Sequence, residues 1–202
     1  SLRSRSYISH GSAVILNDLS DQTPENIFVN KEQSEKNWSN ELTQEGIDRA
    51  FKNKGRQSNY IWSWKNYCFT LLNGKNTGDY GVVNIELETG EIVRTTNLER
   101  TLVDIVVRPV YSGGANNLIE IFRRANGMVS AKQIIKTLKK LDYSYPFHQS
   151  IGFLMERAGF EKNEYEQLMK LGMDYDFYLD YRMKNKRYDR NWRIYYPRDF
   201  DP

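Results

Sequence analysis

The feature that most constrains this 202-residue chain is a change in the repeat of its apolar residues, from two to about 3.6 and back to two. From Asn59 to Thr95 the pattern alternates. Trp62 and Trp64 are interleaved with Ser63 and Lys65, Tyr67, Phe69 and Leu71 share a face, and so do Val83, Ile85 and Leu87. Such alternation puts every second side chain on one side of a β-strand. Asn73-Gly74 and Glu88-Thr89-Gly90 supply residues that accept the backbone angles of tight turns, so the segment predicts an antiparallel meander of three or four strands.

From Asn97 onward the spacing is helical. Leu98, Leu102, Ile105 and Val106 fall on one face behind Asn97 as N-cap, and Pro109 stops that helix. Leu118, Ile121, Phe122 and Ala125 form the next, closed by Gly127. Ser130 to Gln133 has the form of a capping box ahead of Ile134, Ile135, Leu138 and Leu141. Phe147, Ile151, Leu154, Met155 and Ala158 make a fourth helix ending at Gly159, and a fifth runs from about Asn163 to Leu171. Alternation returns in Phe177 to Tyr181 and in Trp192 to Tyr196, predicting two closing strands added to an existing sheet edge. Ahead of the meander, the reading is a short helix Ser12 to Leu19, a turn from Asp21 to Pro24 and a strand Ile27 to Val29. A polar stretch Asn30 to Asn40 and a helix within Leu42 to Phe51 follow. The expected class is α+β, with an antiparallel or mixed sheet, then helices, then C-terminal strands.

Composition narrows the function classes. Mean hydropathy is −0.72 and no apolar run approaches the roughly eighteen residues of a membrane span. Cys68 is the only cysteine, which excludes an intrachain disulfide framework and a cysteine-rich zinc site. The opening SLRSRSYISH has no secretory pattern, so a cytoplasmic location is expected. Net charge is only +3, yet Arg182 to Arg198 holds seven basic residues against the single acid Asp189. Arg182, Lys184, Lys186, Arg187, Arg190 and Arg193 therefore form a candidate interaction face. With Tyr181, Tyr188, Trp192, Tyr195 and Tyr196 interleaved, two readings stay open. The segment is either a nucleic-acid surface of cations and stacking rings, or a core strand whose cations face solvent.

Other constellations carry less chemistry. His10 and His148 fit no Cys-His or Ser-His-Asp arrangement by spacing, and structural roles are expected for both. Asp79, Glu86 and Glu88 could hold Mg²⁺ in a restriction-type nuclease, but Glu86-Leu87-Glu88 lacks the lysine that such a site needs. Surface and turn acids of a hairpin account for the same residues. Ser112-Gly113-Gly114 has neither the lysine nor the strand of a P-loop. Glu99 complements a helix N-terminus, and Arg100 with Asp104 reads as a helix-stabilising i,i+4 ion pair. No cofactor and no catalytic residue is expected.

Three ordered stretches resemble a known family. They are Ser9 to Pro24 with the strand Ile27 to Val29; Thr96-Asn-Leu-Glu-Arg-Thr-Leu-Val-Asp104 with Arg108-Pro109 and Tyr111 to Gly114; and Asp176 to Tyr181 through Tyr188 to Pro197. Together they resemble the AbiEi family of bacterial antitoxins and transcriptional regulators. These are partners of AbiEii nucleotidyltransferase toxins in type IV toxin–antitoxin systems that act in abortive infection against phage. The most specific element is Glu99-Arg100-Thr-Leu-Val-Asp104. The resemblance implies a restriction-endonuclease-like core that has lost its metal ligands, a non-enzymatic antitoxin function and a cognate toxin as partner, without a stable complex being required. It also implies operator DNA contacted through an N-terminal winged helix-turn-helix; the charge of the basic C-terminal segment adds the expectation of an auxiliary contact. On that resemblance residues 1–8 are expected as a linker remnant of such a head and 9–202 as the antitoxin domain, sheet-rich over 9–96, helical over 97–172 and closing in strands over 173–202. The alternatives are a Mg²⁺-dependent nuclease and a dimerisation or cooperativity module of a transcription factor.

Overall fold

A computed structural model describes residues 5–22, 25–35 and 41–200. Thr23 and Pro24 of the expected turn, residues 36–40 of the polar stretch and residues 1–4 lie outside the described residues. The class is the expected α+β. Six strands form one mixed sheet: β1 (Tyr7–Ile8), β2 (Asn26–Glu32), β3 (Ile61–Trp64), β4 (Tyr67–Gly74), β5 (Val82–Glu86) and β6 (Ile92–Thr96), in the order β3-β4-β2-β1-β6-β5.

The predicted meander is two antiparallel hairpins at opposite edges of this sheet. β3 pairs with β4 and β5 with β6, while β2 and β1 lie between them, β2 parallel to β4 and β1 parallel to β6. The reason is the apolar β2. With Val29 and Asn30 buried it needs neighbours on both sides, and β1 completes the central pair through Tyr7↔Asn30 and Ile8↔Val29. Within the stretch expected as a linker over 1–8, Tyr7 and Ile8 belong to the sheet. The free edge strand β3 carries exposed Ile61 and Trp64. Lys65, at the hairpin tip with φ +53°, lays its ammonium 4.5 Å from the Trp64 ring centroid, and this cation guards the edge against further pairing.

Among the described residues seven helices accompany the sheet: α1 (His10–Leu16), α2 (Gln44–Lys52), α3 (Leu98–Val107), α4 (Ala115–Ala125), α5 (Ala131–Leu141), α6 (Phe147–Arg157) and α7 (Lys162–Met169). Their starts follow from local chemistry. The Thr43 hydroxyl accepts from Gly46 N at 3.1 Å, the Asn97 side chain accepts from Arg100 N at 3.0 Å, and Ser130 with Gln133 forms the predicted capping box. Pro109 ends α3 as expected and opens a 3₁₀ turn, Pro109–Ser112. Among the described residues no helix is long and apolar enough to cross a membrane.

The C-terminal strands do not extend the large sheet. β7 (Phe177–Tyr178), β8 (Lys186–Asp189) and β9 (Ile194–Pro197) form their own three-stranded sheet, ordered β7-β9-β8. Their inner side chains Phe177 and Ile194, with Trp192 from the β8–β9 connection, are fully buried in the same apolar cluster as Leu118, Phe122, Ile151 and Leu154 of α4 and α6. Burial against helices, rather than backbone pairing with the larger sheet, determines where this segment rests. Gly152 makes the fit feasible, since a Cβ there would meet the Trp192 indole at 2.1 Å. Gly152→Ala is therefore expected to lower stability by about 1–3 kcal/mol or more through overpacking. The check is a urea midpoint that falls at unchanged slope; an unchanged midpoint would mean that the indole has room to move.

Candidate functional site

The Asn97–Asp104 element sits where the sheet meets the helices, and the structure changes the meaning of its charges. Arg100 and Asp104 are buried, at 2% and 4% relative exposure, and do not form a surface ion pair. Arg100 Nε donates to Asp104 Oδ1 at 2.8 Å. Its Nη1 donates to Thr77 Oγ1 at 2.9 Å and to the Tyr80 carbonyl at 2.7 Å, and its Nη2 reaches Tyr7 Oη at 3.4 Å. The rigid, multi-donor geometry of a guanidinium suits this task, and a lysine could not reproduce it. Gly81, with φ +74°, brings the turn before β5 so close that a Cβ would lie 2.9 Å from Arg100 Cβ.

Glu32, at the end of β2, completes the cluster. Its carboxylate accepts from Thr77 N at 2.7 Å, Asp79 N at 3.2 Å and Tyr7 Oη at 3.2 Å, as well as from the Thr77 hydroxyl, and it stands 4.0 Å from Arg100 Nη2. Asn30 Nδ2 donates to Tyr7 Oη at 2.6 Å. Burial alone would lower the Arg100 pKa, but Asp104 and Tyr7 outweigh it and hold the guanidinium firmly charged. Burial pushes the Asp104 carboxyl up against the pull of Arg100. Glu99 faces the other way, accepting from Gln133 Nε2 of α5 at 2.8 Å. Tyr7, Glu32, Thr77 and Tyr80 were not singled out in the sequence, because nothing in local spacing marks partners that lie 20 to 93 positions from Arg100.

The carboxylates considered for Mg²⁺ are not brought together. Asp79 pairs with Arg94 at 2.7 Å, Glu86 is exposed at the end of β5, and Glu88 is exposed in the following turn. Among the described residues no group of three His, Cys, Asp or Glu side chains could hold a metal ion. Ser9 Oγ lies 2.9 Å from His10 Nδ1, but both residues are buried, and the imidazole is packed edge-on to Tyr111. His148 Nε2 lies 2.7 Å from the Gly172 carbonyl.

The C-terminal basic segment divides between both earlier readings. Trp192 is core, with Nε1 donating to Glu156 at 2.5 Å, and Tyr196 packs on Phe153. Arg193 is held by Asp176 at 2.9 Å and by the Met173 carbonyl at 2.9 Å, while Lys186 lies over the rings of Tyr178 and Tyr195. Arg182, Lys184, Arg187 and Arg190 are exposed and have no carboxylate partner among the described residues. The outward face is thus narrower than the charge run suggests.

No protein-family model matches the sequence, and no curated protein matches it significantly. The fold does have a relative among solved structures. The crystal structure of the RV2827C protein from Mycobacterium tuberculosis aligns with a TM-score of 0.62 at 13% identity, covering 95% of this chain. The match spans 62% of the RV2827C chain. The architecture is therefore shared over nearly the whole of this chain.

Two measurements test the buried cluster. Arg100→Met leaves Asp104 and Glu32 without their cation and is expected to cost about 3–5 kcal/mol, whereas replacing Arg100 and Asp104 together by apolar residues should cost less. Similar losses for both variants would mean that the pairing itself carries little of the effect. The second measurement concerns pH. Burial, with Arg108 and Arg100 nearby, holds His10 well below its ordinary 6.5, and burial lowers His148 as well. The unfolded chain then binds protons that the folded chain refuses, so stability falls as pH drops below that ordinary value. His10→Asn, which tolerates the φ of +52°, is expected to lose less of its thermal midpoint between about pH 7 and pH 5 than the parent protein. Identical pH profiles would remove His10 from the account.

Proposed function

We propose that this chain is the toxin-countering domain of an AbiEi-type antitoxin, acting by binding and not by catalysis. The observation that carries the reading is the position of Glu99 to Asp104. The run on which the family resemblance is most specific supplies the buried Arg100–Asp104 joint between sheet and helices. The likeness thus falls on residues that define the architecture, and the wide fold match to RV2827C supports it. The partner is a nucleotidyltransferase toxin, opposed with or without a stable complex. In regulators of that family a winged helix-turn-helix reads operator DNA. The outward cations of the C-terminal segment, Arg187 and Arg190 foremost, supply an auxiliary electrostatic contact that salt weakens.

Growth rescue tests the proposal. Co-expression of these 202 residues with the cognate toxin is expected to restore growth, and failure of the folded, expressed chain to do so would end the assignment. Arg187→Glu with Arg190→Glu is expected to weaken the salt-sensitive contact at least several-fold while the thermal midpoint stays within about 2 °C, because neither cation holds a carboxylate within the described fold. Unchanged rescue and unchanged DNA affinity in that variant would reduce the strip to a solvated face.

A further inference from the structure

A cleft of about 940 Å³ opens between the loop after α2, the end of α3 and the segment that follows β7. Four cations line it: Lys54 and Arg56 from the loop, Arg108 from the C-terminal end of α3, and Arg182. None of the four has a carboxylate partner among the described residues, and Arg108 is half-buried. An arginine kept partly out of water without an ion-pair partner leaves donors to be satisfied from the cleft itself.

The one carboxylate in the lining does not compensate them. Asp180 is turned toward the start of α4, where Oδ2 accepts from Ala115 N at 3.2 Å and Oδ1 from Tyr181 N at 2.7 Å. That helix start is therefore already occupied, and the cleft's positive charge is left to its side chains.

The walls are pre-arranged as well. The Tyr181 ring is stacked on Phe51, with centroids 4.3 Å apart at 10°, so its orientation is fixed from behind. Gly55 lies against the same ring, where a Cβ would come within 3.0 Å of Tyr181 Cδ2, and this close approach holds Lys54 and Arg56 at the rim. Arg182 has φ +52°, a region that a side-chain-bearing residue enters only at a cost, and its N–H donates to the Phe51 carbonyl at 2.7 Å. Tyr143 and Tyr145 supply further ring surface. Burial pushes the Tyr181 hydroxyl up to about 12, so it stays neutral and adds no repulsion toward an anion.

Cations without carboxylate partners beside fixed aromatic faces match a ligand that joins phosphate groups to a flat ring. We propose that this cleft binds a nucleotide, with Arg56, Arg108 and Arg182 on its phosphates and the rings of Tyr143 and Tyr145 toward its base, Tyr181 being held between Phe51 and Gly55 as part of the wall. The nucleotide is either free or the phosphorylated end of an RNA strand. The proposal does not depend on the toxin-countering reading, since nucleotide affinity and growth rescue are measured separately and each can fail alone.

The test is calorimetric titration of the full chain with ATP, CTP, inorganic pyrophosphate, adenosine, and a short RNA carrying either a 5′ phosphate or a 5′ hydroxyl. The nucleoside triphosphates are expected to bind more tightly than pyrophosphate or adenosine, and the affinity should fall with added salt. Arg56→Ala combined with Arg182→Gly, the glycine keeping the positive φ, should weaken binding at least tenfold, and Arg108→Gln should act in the same direction. If the Arg108 variant fails to fold, the Arg56/Arg182 pair, which removes exposed side chains, still decides. Tighter binding of the phosphorylated RNA than of free nucleotide identifies a strand end as the source, and the reverse identifies free nucleotide. The proposal is overturned by no binding of any probe at about 1 mM to a folded protein, by pyrophosphate binding as tightly as the triphosphates, or by affinity unchanged in the Arg56/Arg182 variant.

Discussion

A charged guanidinium is hard to bury, and here Arg100 is buried where the large sheet meets α3. Removing it from water costs several kcal/mol, which only near-complete hydrogen bonding can offset. The offset comes from widely separated places: Asp104 one helical turn on, Tyr7 on β1, and Thr77 and Tyr80 in the connection between the two edge hairpins. Glu32 at the end of β2 gathers the same connection through Thr77 and Asp79. The six-stranded sheet and the first long helix on it are thus held in register by one polar cluster as well as by apolar packing. A buried cluster of this kind specifies an arrangement because few alternatives satisfy all its members at once.

Apolar packing governs the other half of the protein. α6 passes through the middle of the helical layer, its Ile151, Phe153, Leu154 and Met155 wholly buried, and Gly152 opens the space that the Trp192 indole fills. The small C-terminal sheet is attached through Phe177, Trp192 and Ile194, with backbone pairing only among its own strands. Gln149 reinforces the attachment by donating to the carbonyls of Tyr175 and Trp192 at 2.9 and 2.8 Å. The two sheets therefore depend on one helical layer, the large one through α1 packing and the Arg100 side chain of α3, the small one through α4 and α6.

These attachments also decide which charges reach solvent. In the C-terminal run Trp192 turns inward and Tyr196 packs on Phe153, while Arg193 is held by Asp176 and the run's one acid, Asp189, is taken up by Arg157 of α6. Other cations project freely, and Arg182 lines the cleft beside Tyr181. A weakly basic chain can in this way present locally strong positive surfaces, which is the physical basis for expecting anionic partners.

Periodicity carried most of the helical half, because a repeat of 3.6 residues, an N-cap such as Asn97 and a capping box such as Ser130 with Gln133 are local signals that need no distant partner. The same locality located β2, the strand segments of the expected meander and the Glu88–Gly90 turn, but it put a tight turn at Asn73-Gly74, which ends β4, and missed the turn at Lys65; alternation records only which face a residue takes and not which strand lies beside it. Strand order required β1, two residues long and invisible to any period. The burial of Arg100 was likewise hidden, since an arginine four residues before an aspartate reads identically on a wet helix face and in a core. By itself the sequence determined the type and rough position of most elements, β1 and β8 excepted, through interactions that span a few residues. The tertiary structure alone decided the strand order, the separate C-terminal sheet and the Arg100 cluster, because each depends on contacts such as that between Arg100 and Tyr7, 93 positions apart.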